Sequence, residues 1–243
     1  MSSAKDAIYS QPQVQTDDFR FDQAVAEVFP DMIQRSVPGY TTIVDSIGQL
    51  AVNYQQTDSN YYDLGCSLGA VSIAMRRCIT ADNAKIIAVD NSSAMIERCQ
   101  RHVDTFKSAI PVEIICDDLQ NVAIENAAVV VMNFTLQFIA PEQRQQIIQR
   151  IYAGLKPGGI LVLSEKLSHG SSAGNELLID LHHEFKRRNG YSELEISQKR
   201  TALENIMQTD SFETHQQRLH QAGFSDVVMW FKCFNFASLV AIK

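Results

Sequence analysis

From Asn60 onward the chain alternates between two patterns, and that alternation limits its fold more than any single residue does. The runs "YYDLG", "KIIAVD", "VEIICDD", "AAVVVMNF" and "ILVLSEK" are short and rich in Val, Ile and Ala. Between them, "AVSIAMRRC", "SAMIERCQRHVDTF" and "PEQRQQIIQRIYAGL" carry apolar residues at helical spacing. Strands that are almost continuously apolar have both faces buried, so the pattern predicts an α/β protein whose parallel sheet is covered by helices on each side. The closing stretch "SDVVMWFKCFNFASLVAIK" holds two further strand-like runs about "KCFN", which predicts an antiparallel hairpin at the sheet's edge.

The remaining segments frame that sheet. Residues 1–20 are polar and are expected to be flexible; residues 21–243 are expected to form one domain. The stretch "FDQAVAEVFPDMIQRSVPGYTTIVDSIGQLAVNY" predicts short helices, interrupted at Pro30 and turned at "VPGY". "KPGG" is expected to stop a helix and turn the chain into the fifth strand. Residues 167–222 are too many for one crossover and show helical patterning in "NELLIDLHHEFKRRNG" and "SELEISQKRTALENIMQ", which predicts an inserted lid or interface.

Composition excludes some functions. At 243 residues and 45% apolar content the chain can bury a sizeable core. Its net charge of -7 argues against a broad grip on a phosphate backbone, so direct binding of nucleic acid is not expected. The five cysteines are odd in number, form no CxxC pair and have no His at ligand spacing; they read as reduced thiols with no metal. The first residues lack a signal-like pattern, and no run reaches the ~18 apolar residues that a membrane span needs. A soluble cytoplasmic protein with no membrane partner is expected.

The segment "YYDLGCSLGA" ends a strand at Asp63 and passes Gly65 and Gly69 into a helix. A bare turn at the carboxyl edge of a parallel sheet lets a nucleotide-like ligand lie against main chain beside free helix N–H groups. A turn shaped only for packing gives the same pattern. Asp90, 27 positions beyond Asp63, adds the acid that would accept hydrogen bonds from a ribose diol. Asn91, Ser92 and Ser93 follow as helix caps. Asp118, after the third strand, is placed to receive an adenine amino group, with Leu119 beside the ring. Asn133 ends the fourth strand where the amino-acid portion or reacting end of a cofactor would lie.

This succession of glycine turn, Asp90, Asp118, Asn133 and "LKPGG" resembles the Rossmann-like class I S-adenosylmethionine-dependent methyltransferase fold. That fold implies a seven-stranded, mostly parallel sheet with an antiparallel C-terminal hairpin strand. An NAD(P) dehydrogenase would use the same turn, but "GCSLG" is one residue shorter than GxGxxG and that fold lacks the closing hairpin. A narrower resemblance rests on "FDQAVAEVFPDMIQRSVPGY", "YDLGCSLGA", "AVDNSSAMIERC", "NFTLQF", "LVLSEK" and "HHEFKRRNGYSELEISQKR". Together these are similar to the carboxy-S-adenosylmethionine synthase family, over Phe21 to the C-terminus.

The resemblance implies conversion of S-adenosylmethionine and prephenate to carboxy-S-adenosylmethionine and phenylpyruvate. The product would supply a separate tRNA carboxymethyltransferase that makes 5-carboxymethoxyuridine at the wobble position. It implies Arg200, in "SQKR", as the guanidinium that holds the new carboxylate, contributed across a homodimer, and the product as a ligand that co-purifies. Tyr40, after "RSVPG", is the second candidate, closing over the sulfonium with its ring and reaching a carboxylate with its hydroxyl. Gly65, Cys66, Ser67, Asp90, Asn91, Asp118, Leu119, Asn133, Tyr40 and Arg200 are thus the expected binding residues. Ser67 stands where the usual turn has glycine, and its hydroxyl is expected to make a contact. Cys66 reads as a packing residue rather than a nucleophile, and His182 and His183 as unsupported for catalysis. Lys186, Arg187 and Arg188 read as a solvated basic face that assists substrate entry. An ordinary small-molecule methyltransferase, which needs only the features from Asp63 to Gly159, and a module that binds the nucleoside without chemistry both stay open on the residues alone.

Overall fold

The computed structural model describes residues 4–13 and 17–243. In chain order it runs α1 (Gln23–Ser36), α2 (Tyr40–Asn53), β1 (Asn60–Leu64), α3 (Ala70–Cys78), β2 (Lys85–Asp90), α4 (Ser93–Thr105), β3 (Val112–Cys116) and β4 (Ala127–Asn133). There follow α5 (Pro141–Gly154), β5 (Leu155–Lys166), α6 (Ser172–Arg188), α7 (Glu193–Glu204), α8 (Phe212–Ala222), β6 (Asp226–Cys233) and β7 (Phe236–Ile242). The seven strands form one sheet in the order β3-β2-β1-β4-β5-β7-β6. The first five are parallel, and β7 runs antiparallel to both its neighbours. The hairpin is therefore present, with β7 inside the sheet and β6 alone at the edge.

The alternation along β4 shows why its apolar run is unbroken. Val129 and Val131 join a core with Ile43, Ile47 and Met75 of α2 and α3; Val130 and Met132 join another with Ile147, Ile148 and Ile151 of α5. Side chains alternate across a strand, so a strand apolar on both faces needs a helical layer on each. The chain winds outward through β1, β2 and β3 and then returns to the other side of β1. Between β1 and β4 the connections diverge, which opens a crevice at the carboxyl ends of the strands.

Four local expectations differ from the structure. Helix α1 is continuous through Pro30, because Asp22 caps it by accepting from the Val25 N–H at 2.9 Å and because Val25, Ala26 and Met32 are buried in one cluster. Packing of that face outweighs the one backbone hydrogen bond that proline removes. "KPGG" does not precede the fifth strand: Leu155 already pairs with Ala127, Ile160 pairs with Val129, and residues 156–159 bulge between them. Of the predicted insertion, α8 instead rejoins the helical layer on the sheet, packing Leu219 against the core of α5; α6 and α7 stand over the carboxyl rim. The polar start, expected to be flexible, is docked where it is described: Asp6, Tyr9 and Phe19 are buried. Residues 1–3 and 14–16 of that segment lie outside the described residues.

Candidate active site

The turn after β1 is shaped by contacts that leave no room for a side chain at Gly65 or Gly69. Gly65 has φ +83°, and a Cβ there would stand 2.3 Å from Thr135 Oγ1. Ser67 also has positive φ, +49°, a region where non-glycine residues are uncommon. Its N–H donates to Asp90 Oδ2 at 2.9 Å, which fixes that conformation. Its hydroxyl faces Met95 Sδ at 3.4 Å, so the Ser67 side chain is engaged within the protein. What the turn offers to a ligand is main chain.

Asp63 ties the turn to the helix. Its Oδ2 accepts from the Ser72 N–H at 3.0 Å and the Ser72 hydroxyl at 2.6 Å, which caps the first turn of α3 from inside. Burial raises its carboxyl to about 6, Ser72's donors oppose that rise, and Asp90 adds to it. Asp90 is held by two main-chain donors, Ser67 N–H and Ser92 N–H, both at 2.9 Å. Burial pushes its carboxyl up while those donors pull it down. Each oxygen keeps a second lone pair for a ligand hydroxyl. Asp118 Oδ1 accepts from the Gln120 N–H at 2.8 Å in an Asx turn, which fixes the carboxylate beside Leu119.

These residues share one cavity of about 690 Å³ at the crevice. Tyr40, Gly65, Cys66, Ser67, Asp90, Asn91, Asp118, Leu119, Asn133 and Arg200 all line it. Arg200 is exposed at the rim and reaches the cavity of its own chain. Tyr40 begins α2 after Gly39; burial, and then Asp63, push its phenol far above the ordinary range, so it is a neutral donor. Asn133 Oδ1 is buried with no hydrogen-bond partner among the described residues, an acceptor held ready for a ligand donor. Cys66 is inert: its contact with the Cys99 thiol, followed by burial, pushes its thiol well up, and its N–H donates to Val89 C=O at 2.9 Å.

Sequence reasoning missed two parts of the wall. Phe21, Phe29 and Phe138 stack edge-on, Phe21 to Phe138 at 5.4 Å between centroids, and form an apolar flank. Phe21 immediately precedes the α1 cap Asp22, and that aromatic–cap pair was the available signal. The other part is a basic end made by Lys166, His182, His183, Lys186, Lys199 and Arg200. Here the expected solvated "KRR" face divides. Arg187 and Arg188 pair with Glu184 at the surface, while Lys186 is only 6% exposed and turns inward. His182 and Lys186 lie four apart, on one helix face, and this spacing carries the signal. His182 Nε2 donates to the Ser36 carbonyl at 2.8 Å, and burial with nearby Lys186 and Lys166 holds its pKa down at about 2. It is a neutral structural imidazole.

Glu165, next to Lys166 but not part of the cavity lining, is 2% exposed, and its carboxyl oxygens accept from the Leu136 and Gln137 N–H groups at 3.0 Å each. Gln137 Oε1 in turn accepts from the Lys166 N–H at 3.1 Å. Among the described residues there is no group of three or more His, Cys, Asp or Glu able to hold a metal ion. No helix among them is long and apolar enough to cross a membrane.

The donor set fits a nucleoside with a cationic end: carboxylates at one side, an unmet amide oxygen, and a bare glycine cradle. Comparison agrees. A family described as "Methyltransferase domain" matches residues 62–159. Two solved structures share the fold at low identity. Magnesium protoporphyrin IX methyltransferase from Synechocystis has TM-score 0.58 and 16% identity, over 88% of this chain and 84% of that one. Human N-acetylserotonin methyltransferase has TM-score 0.55 and 16% identity, over 91% and 58%. Among curated relatives, carboxy-S-adenosyl-L-methionine synthase from Pseudoalteromonas atlantica is 72% identical over the whole of both chains. The synthase of Photorhabdus laumondii is 61% identical over 98% of this chain and 95% of its own, and that of Escherichia coli O17:K52:H18 is 59% identical over 99% and 98%. The chain belongs to the carboxy-S-adenosyl-L-methionine synthase family.

Proposed function

We propose that this protein is a carboxyl transferase that converts S-adenosyl-L-methionine and prephenate to carboxy-S-adenosyl-L-methionine and phenylpyruvate. Beyond family membership, one observation carries the reading: the cavity holds a cluster of cations, Lys166, Lys186, Lys199 and Arg200, close enough together to lower the pKa values of Lys166 and Lys186. Glu204 is the lining acid on the helix of Lys199 and Arg200, while Asp63, Asp90, Asp117 and Asp118 line the cavity from the ends of β1, β2 and β3. A methyl donor is itself a cation, so carboxylates near it need no explanation. A basic end beside it does, and an anionic second substrate supplies one.

In the proposed reaction the ring carboxylate of prephenate leaves as carbon dioxide, the ring becomes aromatic, and the ring hydroxyl departs as hydroxide. That hydroxide takes a proton from the sulfonium methyl group and becomes water. The resulting ylide attacks the carbon dioxide, forming the new carbon–carbon bond. Atoms and charge balance with no external oxidant or base. The protein's part is placement and exclusion of water, served by the aromatic flank of Phe21, Phe29 and Phe138. Asp90 would accept from the ribose, Asp118 from the adenine, and Asn133 Oδ1 from the amino group; Tyr40 would cover the sulfonium, and Arg200 would hold the transferred carboxylate.

The same reading makes the protein a cytoplasmic homodimer that feeds a separate tRNA carboxymethyltransferase making 5-carboxymethoxyuridine, and the product a ligand that co-purifies. Leu177 and Leu181 are 60% and 40% exposed, four apart on α6, and offer an apolar face for the dimer. The resemblance gives the arginine to the neighbouring subunit, and in the single chain Arg200 lines its own cavity. Mixed dimers of an Arg200→Ala copy with an Asp90→Ala copy decide its origin: activity returns only if Arg200 serves across the interface. The test of the function itself is incubation with both substrates. Phenylpyruvate and a nucleoside heavier than the donor by one carbon dioxide are expected, and formation of neither overturns the proposal.

A further inference from the structure

The lysines at the basic end are unequal. Lys199, 6% exposed, has partners: its ammonium lies 3.6 Å from Asp6 Oδ2 and donates to Ser36 Oγ at 3.2 Å. Lys166 and Lys186 have none of this kind. Among the described residues no carboxylate lies within 4.0 Å of either ammonium, and neither donates a hydrogen bond to the protein. Yet Lys186 is buried, Lys166 is partly buried, and both line the cavity beside Arg200.

Neither Nζ is among the buried polar atoms that lack a partner, so both ammonium groups open onto the cavity, where two of them and a guanidinium face one space and repel one another. The methyl donor does not relieve them, since its sulfonium and amino group carry two positive charges against one carboxylate. Asp6, which acts on Lys186, is already shared by Lys199 and the Tyr191 hydroxyl, and Glu204, the other acid lining this part of the cavity among the described residues, pairs with neither lysine. What fits two unpartnered ammonium groups in one chamber is a ligand with two separated carboxylates.

We propose that Lys166 and Lys186 form a dicarboxylate subsite that holds the second substrate, each ammonium taking one carboxylate, while Arg200 is left for the carboxylate formed in the reaction. This rests on the carboxyl-transfer reading and assigns its second substrate to residues. Lys166 approaches from the end of β5 and Lys186 from the last turn of α6, so the ligand is held between the sheet rim and the inserted helices. Burial, and then repulsion by Arg200, lowers Lys166 to about 8; burial, and then repulsion by Lys199 and Lys166, lowers Lys186 to about 7. A dianion would raise them again, so binding should take up protons.

The experiment uses the whole protein and the variants Lys166→Met, Lys186→Met and Lys186→Arg. Prephenate binding and methyl-donor binding are measured separately by calorimetry, and turnover by phenylpyruvate release. In each Met variant prephenate affinity and its KM are expected to weaken roughly tenfold or more, as loss of a buried charged contact requires. Methyl-donor affinity should stay within about twofold in the same variants, and Lys186→Arg should recover part of the loss. Melting curves confirm folding, which loss of a buried charge favours. Unchanged prephenate binding and KM in both Met variants overturns the subsite and leaves the reaction standing. Weakened methyl-donor binding overturns it too, because the lysines would then serve the donor's own carboxylate. Lysine-dependent prephenate binding without phenylpyruvate release keeps the subsite and sinks the reaction.

Discussion

At the scale of single residues, roles divide by what each polar atom already touches. Asp63 was read as the strand end beside the turn, and its carboxylate is spent on Ser72. Asp90 and Asn133 retain free acceptor capacity in the cavity, and Asn133 Oδ1 has no protein partner. Arg200→Ala should lower kcat/KM for carboxyl transfer by roughly 100-fold, the scale of a lost charge-assisted contact of about 3 kcal/mol. Tyr40→Phe removes one neutral donor and should cost about tenfold. Both are read by phenylpyruvate release, with methyl-donor affinity as the control, and wild-type rates would remove these residues from the mechanism. That the candidate residues would meet at one cavity was legible because strand ends and their spacing are local. Ser67's engagement with Met95 was not, since the partner comes from α4.

Among elements, the strand and helix alternation was legible throughout, since burial on both faces of β4 writes itself as an unbroken apolar run. The N-terminal segment was not. "AKDAIYSQPQ" has no periodicity, and its order comes from long-range polar contacts: Asp6 N–H donates to Asp31 Oδ2 at 2.7 Å, and Arg35 donates to the Asp6 carbonyl at 3.1 Å. Asp6 is 1% exposed and stands against buried Lys199. Asp6→Ala should therefore destabilise the fold by about 3 kcal/mol, because it strands a buried cation. Thermal melting reads this, and an unchanged Tm would show the segment to be dispensable. Helix α6 was recognised as a helix but assigned the wrong surface, since composition called "KRR" solvated while the i, i+4 register turns Lys186 inward. Its outward Leu177 and Leu181 face the opposite demand. Replacing both by Asp should give a monomer by sedimentation; a persistent dimer would place the interface elsewhere.

For the whole molecule, buried titratable groups set two pH dependences of different sign. His182 and His215 are held neutral, with pKa values lowered to about 2 and about 4 from 6.5. Burial is the main cause for both. Arg218 donates to His215 Nδ1 at 3.2 Å, which also requires the neutral ring. A depressed native pKa gives stability that is complete above the unfolded value and is lost as pH falls below it. Glu165, whose carboxyl burial raises to about 8, acts with the opposite sign over this range, so the histidine effect is read as the difference in Tm between the protein and its His182→Gln variant. That difference should shrink between pH ~7 and ~5 by on the order of 5 °C, and a constant difference would contradict this burial. Prephenate binding runs the other way. It needs Lys166 and Lys186 charged, in a site also faced by His182 and His183 on α6, Lys199, Arg200 and Glu204 on α7, and Asp6. Affinity should be highest below about 7 and weaken as pH rises through about 8, the range in which these two ammonium groups discharge. The cluster of cations behind this prediction was invisible in the sequence, because it joins β5, α6, α7 and, through Asp6 against Lys199, the N-terminal segment.

The central claim is that carbon moves from prephenate to the methyl carbon of the donor, and isotopic labelling tests it most directly. Prephenate labelled in its ring carboxylate is incubated with the protein and unlabelled S-adenosyl-L-methionine, and the nucleoside product is weighed by mass spectrometry. The account predicts a nucleoside heavier than the donor by one labelled carbon dioxide, formed in equal amount with phenylpyruvate. An unlabelled carboxylated product, or S-adenosylhomocysteine beside a methylated acceptor, would contradict it.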